Sequence, residues 1–153
     1  MKMLGSDEQF MKLALQEAQK SKEFNEVPVG AIIVMGGEVI SNSHNKSISQ
    51  NDPTSHAEIN ALRIAAKKIG NYRLTGATLY ATLEPCAMCY GAIIHARIPR
   101  LVFGAYDPKT GVCGSSIKLH EQNCFNHTPE LKGGVLEREC SLILKEFFQK
   151  KRN

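Results

Sequence analysis

The chain has 153 residues, of which 42% are hydrophobic and 22% are charged, and its formal net charge is +4. These values are ordinary for a globular protein, and they predict a single domain over residues 1–153. No apolar run approaches the about 20 residues of a membrane span, and residues 1–5 lack the apolar stretch of a signal peptide. We therefore expect a cytoplasmic protein without a membrane partner.

The first part of the chain predicts a helix followed by a strand hairpin. A capping-box pattern begins at Ser6, and apolar residues follow at helical spacing to about Ser21. Residues 27–34 are almost all apolar, which is typical of a strand buried on both faces. The glycines at 36–37 predict a two-residue turn, after which a returning strand begins at Val39.

A second helix is predicted after a polar loop over residues 41–53. Asp52 or Thr54 is suited to cap this helix, and Gly70 provides its stop signal. His56 then lies in the first helical turn, from which a side chain can reach past the helix end.

The rest of the chain continues the alternation of strands and helices. A strand is predicted over residues 77–83, a helix from Pro85 to about Ala96, and a short buried strand over 101–103. Residues 107–111 predict a turn, 112–130 show no regular pattern, 135–136 predict a strand, and 137–151 predict an amphipathic helix. This alternation predicts an α/β fold, a three-layer α/β/α sandwich around a mixed sheet of about five strands.

One histidine and two cysteines have the spacing of a metal site. Cys86 and Cys89 are three residues apart in a helical turn, so their sulfurs share one face. With His56 they form the three-ligand set of a catalytic zinc site, whose fourth position is left to water. His56 and Glu58 do not share a helix face, so both can serve one site only if the helix N-terminus points at it. We therefore predict that two helix N-termini converge on one zinc ion.

A structural zinc site is the alternative, and it normally has four protein ligands. Other cysteines and histidines could in principle supply a fourth ligand, but none of them stands at a motif spacing from a second donor. They include Cys113, Cys124, His44, His95 and His127. Three ligands beside a glutamate favour an open catalytic site. The remaining cysteines, Cys113, Cys124 and Cys140, are interpreted as small buried residues or idle thiols.

Glu58 is predicted to be the catalytic acid and base. Zinc lowers the pKa of its bound water towards about 7, and a carboxylate outside the ligand set can move protons between that water, a ring nitrogen and a departing amine. His56 and Glu58, followed by Pro85, Cys86 and Cys89, match the H-x-E and P-C-x-x-C signature of the zinc nucleobase deaminases.

Longer motifs closely resemble one family, the bacterial tRNA-specific adenosine deaminases. The most specific stretches are residues 26–31, 52–58, 71–74 and 77–88, with further matches at 102–105, 107–111 and 147–148. The resemblance implies a cytidine-deaminase-like fold and conversion of adenosine to inosine at the wobble position of a tRNA anticodon, with an arginine tRNA as substrate. It also implies one zinc ion per subunit, no nucleotide cofactor, and a homodimer whose interface includes residues 90–97, unless that segment packs within one subunit.

The resemblance further implies contacts with the tRNA anticodon stem-loop. Asn45 resembles the residue that hydrogen-bonds the flipped base or its ribose, and a turn asparagine is the competing interpretation. The other matching positions are Ala57, Arg73, Asp107, Lys109, Asn126, Phe148 and Arg152. One of Phe147 and Phe148 belongs in the core, and periodicity does not decide which.

The end of the chain is basic, with four cations and one anion over residues 145–153. A solvated helix end is one interpretation, and contact with RNA phosphates is the other. Two other functions stay open. A deaminase of a free nucleobase or nucleoside, such as guanine or cytosine, would need no basic C-terminal helix. A zinc-stabilised RNA-binding module without catalysis would leave Glu58 unexplained.

Overall fold

The computed structural model describes residues 6–152. Within them, the helices and strands are α1 (Asp7–Glu23), β1 (Gly30–Met35), β2 (Glu38–His44), α2 (Ala57–Ile69), β3 (Ala77–Leu83), α3 (Ala87–His95), β4 (Arg100–Ala105), β5 (Glu130–Lys132) and α4 (Glu137–Arg152). None of the helices in this part of the chain is long and apolar enough to cross a membrane. The expectation that residues 1–5 are not a signal peptide lies outside the described residues.

The strands form one mixed sheet in the order β2-β1-β3-β4-β5. β1 is antiparallel to β2 and β3, whereas the pairs β3–β4 and β4–β5 are parallel. The C-terminal ends of β3 and β4 therefore lie side by side, with Leu83 opposite Ala105. The end of β2 reaches the same edge, because His44 pairs with Gly30 at the start of β1. Four segments of the chain thus meet at this edge.

Helices cover both faces of the sheet, so the predicted three-layer α/β/α sandwich is confirmed. Neighbouring residues of a strand point to opposite faces. On the side of α2 and α3 lie Ile33, Leu79 and Leu101. On the side of α1 and α4 lie Ile32, Tyr80 and Val102. Burial of each large apolar side chain contributes about 1.5–3 kcal/mol to folding, so both faces stabilise the fold.

α1 begins at the predicted capping box. The Ser6 hydroxyl accepts a hydrogen bond from the Gln9 N–H at 3.2 Å, and the Gln9 side chain accepts one from the Ser6 N–H at 2.8 Å. These bonds satisfy two N–H groups that a helix start otherwise leaves free.

The predicted cap of α2 at Asp52 or Thr54 is wrong. The Asp52 carboxylate accepts hydrogen bonds from the Thr54 N–H and hydroxyl, which closes a local turn. The helix therefore begins later, with His56 as its N-cap residue, and it ends at Gly70 as predicted. The φ of Gly70 is 76°, a left-handed conformation that glycine adopts without strain.

β2 extends further than its polar sequence suggests. It ends at His44, so the loop predicted over residues 41–53 begins only at Asn45. Ser41 is buried, and its hydroxyl donates a hydrogen bond to the Ala61 carbonyl of α2 at 2.6 Å. This bond satisfies the buried hydroxyl and lets a polar residue occupy the strand.

The strand predicted at residues 135–136 is wrong, because β5 lies earlier, at Glu130–Lys132. The φ of Leu136 is 52°, which is incompatible with a strand and turns the chain into α4. Residues 112–129 are irregular as predicted, apart from a short 3₁₀ helix at Leu119–Glu121 and one isolated bridge.

Candidate active site

Two helices point their N-termini at the same place. His56 is the N-cap residue of α2, Cys86 is the N-cap residue of α3, and Cys89 lies in the first turn of α3. Neither N-cap side chain forms a hydrogen bond with the backbone of its own helix, so the His56 and Cys86 side chains can approach each other. His56 Nδ1 lies 3.7 Å from Cys86 Sγ and 3.5 Å from Cys89 Sγ. The fold therefore brings the three predicted metal ligands together.

The spacing of these donor atoms fits a tetrahedral zinc ion. All three atoms lie within 4.8 Å of one another. Bonds of about 2.3 Å to sulfur and about 2.0–2.1 Å to nitrogen would separate the two ligand types by about 3.6 Å, close to the observed distances. Within residues 6–152, no fourth histidine, cysteine or carboxylate joins this group. The residues thus fit an open site rather than a closed structural one.

The two thiols differ in their readiness to ionise. The pKa of Cys86 is lowered to about 4, because it accepts a hydrogen bond from the Cys89 thiol and lies beside His56. The pKa of Cys89 is raised, because it donates that hydrogen bond and is buried. The hydrogen bond with Cys86 raises the pKa of His56. Binding of a divalent cation displaces protons from such groups, so metal affinity falls at low pH.

Glu58 lies beside these donors but is not one of them. It is in the first turn of α2 and is only 4% exposed. Burial raises the pKa of its carboxyl group. The side chain lines a cavity of about 220 Å³ together with Asn45, His56, Cys86 and Asp107. A carboxylate in this position can exchange protons with a molecule held in the cavity.

Asn45 supplies the missing side-chain cap of α2. Its Oδ1 accepts a hydrogen bond from the Ala57 N–H at 2.7 Å, which satisfies a free N–H at the helix start. Its Nδ2 has no acceptor within residues 6–152, and the side chain lines the cavity. The amide nitrogen is therefore available to donate a hydrogen bond to a ligand.

Asp107 organises the loop that follows β4. Its carboxylate accepts hydrogen bonds from the N–H groups of Lys109 and Thr110, at 3.1 and 3.2 Å, and from the Thr110 hydroxyl at 2.7 Å. Asp107 and Thr110 line the cavity, whereas Lys109 is exposed and does not.

Comparison with known proteins connects this chain to one family. Residues 5–152 match the MafB19-like deaminase family. The tRNA-specific adenosine deaminase of Haemophilus influenzae is 54% identical over 95% of this chain and 85% of that protein. The tRNA-specific adenosine deaminase of Bacillus subtilis is 46% identical over 95% of this chain and 91% of that protein. The chain belongs to the tRNA-specific adenosine deaminases.

The fold of this tRNA-specific adenosine deaminase matches a structure solved in a study of A-to-I editing by tRNA:A34 deaminases. The TM-score is 0.87 at 47% identity, and the match covers 89% of this chain and 99% of that one. The expected cytidine-deaminase-like fold is therefore confirmed.

The other residues predicted to contact tRNA do not line the cavity of the deaminase. Ala57 is fully buried, so only its backbone faces Asn45. The exposed positions are Arg73, Lys109, Asn126, Phe148 and Arg152. Phe148 is 42% exposed and Phe147 only 8%, so Phe147 is the core member of the pair.

Part of the predicted dimer segment packs inside the deaminase subunit. Tyr90, Ile93 and Ile94 are buried in the core, so the predicted interface is wrong for them. Their apolar pattern fits a core helix as well as an interface. Gly91, Ala92 and His95 lie at or near the surface and remain available to a partner.

The cavity of the deaminase also includes residues that the sequence did not nominate: Val27, Val29, Leu83, Glu84 and Thr110. The apolar pattern of residues 27–34 predicts a strand and does not distinguish a cavity wall. Glu84 could have been nominated from the sequence, because a glutamate directly before Pro85 and Cys86 lies close to any metal bound by Cys86.

Proposed function

We propose that this protein catalyses the hydrolytic deamination of adenosine to inosine at the wobble position of a tRNA anticodon, with an arginine tRNA as substrate. The observation that carries the proposal is the cavity in which buried Glu58 lies beside a His/Cys/Cys donor group. Family membership favours this function over deamination of a free nucleobase or nucleoside. It also favours it over a non-catalytic RNA-binding module.

His56, Cys86 and Cys89 hold one zinc ion per subunit. Imidazole and thiolate are the usual zinc ligands, and three of them leave a coordination position open for catalysis. When bound, the ion supplies an activated water at neutral pH. No nucleotide cofactor takes part, because the reaction consumes only water and includes no redox or phosphoryl-transfer step.

Glu58 moves the protons. Its carboxylate takes a proton from the attacking water and delivers it to the ring nitrogen beside C6, while the hydroxyl group bonds to C6. The carboxylate then takes the proton of the new C6 hydroxyl group and passes it to the amino group, so that the C6–N bond breaks, ammonia leaves and the oxygen stays on C6 as the carbonyl of inosine. Because Glu58 is not a metal ligand, both of its protonation states are available in each turnover.

Asn45 and Ala57 hold the nucleoside at the inner end of the cavity. The Asn45 amide donates to the flipped base or its ribose, while the Ala57 N–H holds the other end of that amide. An unpaired loop base is extruded more easily than a paired one, which suits an anticodon substrate. Asp107 and Lys109 contact the nucleotides beside the target.

A basic cleft between α1 and α4 continues the surface for RNA. It has a volume of about 370 Å³ and is lined by Lys22, Asn25, Phe147, Lys150 and Lys151. None of its lysines forms an ion pair with another residue in the 6–152 range, so phosphates can neutralise them. Phe148 and Arg152 belong to the helix that forms one side of this cleft, and Arg73 and Asn126 are further exposed contacts that lie in other loops.

The enzyme is a homodimer of single-domain subunits. A mostly apolar groove of about 400 Å³ lies between α2 and α3, lined by Ile59, Leu62, Arg63, Ala66, Tyr72, Ala92, His95 and Ala96. Ile59 follows Glu58 directly, so a partner subunit seated in this groove lies next to the active site. The cytoplasm provides both tRNA and the reducing conditions that keep thiol ligands free.

A substrate panel tests the proposed function. The zinc-loaded enzyme is incubated with an arginine anticodon stem-loop that carries adenosine at the wobble position. Free adenosine, adenine, guanine and cytosine are assayed in parallel. We expect inosine from the stem-loop alone. If a free base were deaminated and the stem-loop were not, the hydrolytic mechanism would still hold, but the assignment of tRNA as the substrate would be wrong.

A further inference from the structure

Glu84 is a buried carboxylate that the proposed chemistry does not use. It stands between the end of β3 and Pro85, and only 2% of its surface is exposed. Its oxygens accept hydrogen bonds from the N–H groups of Asp107, Cys113 and Ser115, at 3.0, 2.9 and 3.1 Å. The Ser115 hydroxyl donates a further hydrogen bond to it. A buried charge at this position is therefore compensated by donors from a single loop.

The loop over residues 107–115 is wrapped closely around this carboxylate. A Cβ atom added at Gly111 would lie 2.4 Å from Glu84 Cδ and 2.6 Å from the Asp107 carbonyl oxygen. The Val112 N–H donates a hydrogen bond to the Pro85 carbonyl at 3.0 Å, which attaches the loop to the segment that carries the metal ligands. No side chain larger than hydrogen fits at residue 111 unless the loop moves.

The same loop presents Asp107 and Thr110 to the cavity that holds Glu58. We infer that Glu84 is a positioning residue, which holds the 107–115 loop so that Asp107 and Thr110 line the cavity that receives the target nucleotide. The inference rests on the proposed function for the identity of that nucleotide. Both Glu84 oxygens are occupied by N–H or O–H donors, so the group is not placed to transfer protons in the reaction.

Replacement of Glu84 by glutamine tests this role without a change in side-chain size. The amide nitrogen cannot accept a hydrogen bond, and it would face N–H groups that also donate. Glu17→Gln is the matched control, because Glu17 is also buried but accepts its hydrogen bonds from Lys20 and Asn42, outside the loop. Three measurements are made on each variant: zinc content, amide hydrogen exchange, and steady-state kinetics on the anticodon stem-loop.

We expect Glu84→Gln to keep its zinc and to raise KM about tenfold while kcat changes much less, since a hydrogen bond to a charged group is worth about one decade in affinity. Amide exchange should accelerate at Asp107, Cys113 and Ser115 and nowhere else to the same extent. Glu17→Gln should show neither effect. A fall in kcat with unchanged KM and intact zinc would overturn the inference, because Glu84 would then act on the reacting atoms.

Ser115→Ala keeps the test decisive if Glu84→Gln fails to fold. The substitution removes one hydrogen-bond donor to Glu84 at a partly exposed site. We therefore expect a smaller rise in KM, together with faster amide hydrogen exchange confined to the same loop. Unchanged exchange and unchanged KM in both variants would contradict the positioning role. An inactive wild-type enzyme with loop exchange that still depends on Glu84 would instead count against the proposed function alone.

Discussion

Asn45 combines two roles in one side chain, because its oxygen caps α2 through Ala57 and its nitrogen faces the cavity. The two roles need different chemistry, an acceptor for the cap and a donor for the ligand. The sequence left a turn asparagine and a ligand-binding asparagine as alternatives. It could not show the cap, since twelve residues separate the partners and only the fold brings them together.

Replacement of Asn45 by aspartate separates these roles. The carboxylate keeps the acceptor for Ala57 and suits a helix N-terminus, but it offers no donor. We expect Asn45→Asp to match the wild type in urea unfolding and to lose about tenfold or more in kcat/KM on the stem-loop. Asn45→Ala should lose activity and also about 1 kcal/mol of unfolding free energy. Full activity in the aspartate variant would restrict Asn45 to its capping role.

The cysteine ligands are tested by metal analysis. Cys89 and Cys140 are both fully buried thiols, but only Cys89 belongs to the donor group of three. We expect Cys89→Ala to purify with little zinc and Cys140→Ala to retain one ion per chain, measured by elemental analysis of the purified proteins. A full complement of zinc in Cys89→Ala would mean that the ion is held elsewhere.

At the scale of elements, the first turn of α1 is tied to three strands through Asp7. The Asp7 carboxylate accepts a bidentate pair of hydrogen bonds from Arg100 of β4 at 2.8 and 2.9 Å. It also accepts bonds from the Tyr80 hydroxyl of β3 at 2.7 Å and from Lys132 of β5 at 3.0 Å. Hydrogen bonds from Arg100 hold the pKa of Asp7 well below its usual range, although partial burial opposes them.

Asp7→Asn should therefore destabilise the protein in a pH-dependent way. A carboxyl group whose pKa is lowered by folding stabilises the folded state above its unfolded pKa of about 3.9 and loses this effect as the pH falls towards the folded value. We expect Asp7→Asn to lower the unfolding free energy by about 2–3 kcal/mol at pH 7, and the difference to shrink below about pH 4.

Urea unfolding across that pH range measures the effect, and Glu130→Gln is its control. Glu130 also pairs with Arg100, at 2.8 Å, but its side chain is 70% exposed. An exposed pair contributes about 0–1 kcal/mol, so the control should change little. An equal loss of unfolding free energy in both variants at neutral pH would show that Asp7 stabilises the fold no more than an exposed ion pair does.

Prediction of the elements from sequence succeeded where the pattern was strong. The capping box at Ser6, the apolar strand over 77–83 and the stop at Gly70 are local signals, and each is present in the fold. The errors arose where tertiary contacts decide. Ser41 remains in a strand because Ala61 of another element accepts its hydrogen bond, and Leu136 turns the chain where an apolar pair predicted a strand.

At the scale of the whole molecule, the mixed sheet gathers the site from separate segments. The parallel pairing of β3 and β4 sets Glu84 and Asp107 side by side, and the antiparallel β2 brings Asn45 to the same edge. Spacing alone nominated His56, Glu58 and the cysteines, because their chemistry has a local signature. Contacts that depend on strand pairing have no such signature.

A charge placed in the groove between α2 and α3 tests the proposed homodimer. Ala92 lines that groove, and a glutamate there would put an unpaired charge into an apolar interface. We expect Ala92→Glu to run as a monomer in light scattering at micromolar concentration. Ile117→Glu is the control, because Ile117 is exposed and does not line the groove. An unchanged dimer in Ala92→Glu would place the interface on another face.

The most direct measurement compares the wild type with Glu58→Gln on one arginine anticodon stem-loop. The position of each inosine is mapped, and zinc is counted in the same samples. We expect the wild type to form inosine only at the wobble position. Glu58→Gln should retain one zinc ion per chain and react at least about 100-fold more slowly, the usual contribution of acid–base catalysis. Near-normal activity in the zinc-loaded Glu58→Gln variant, or inosine at another position, would contradict the proposed mechanism.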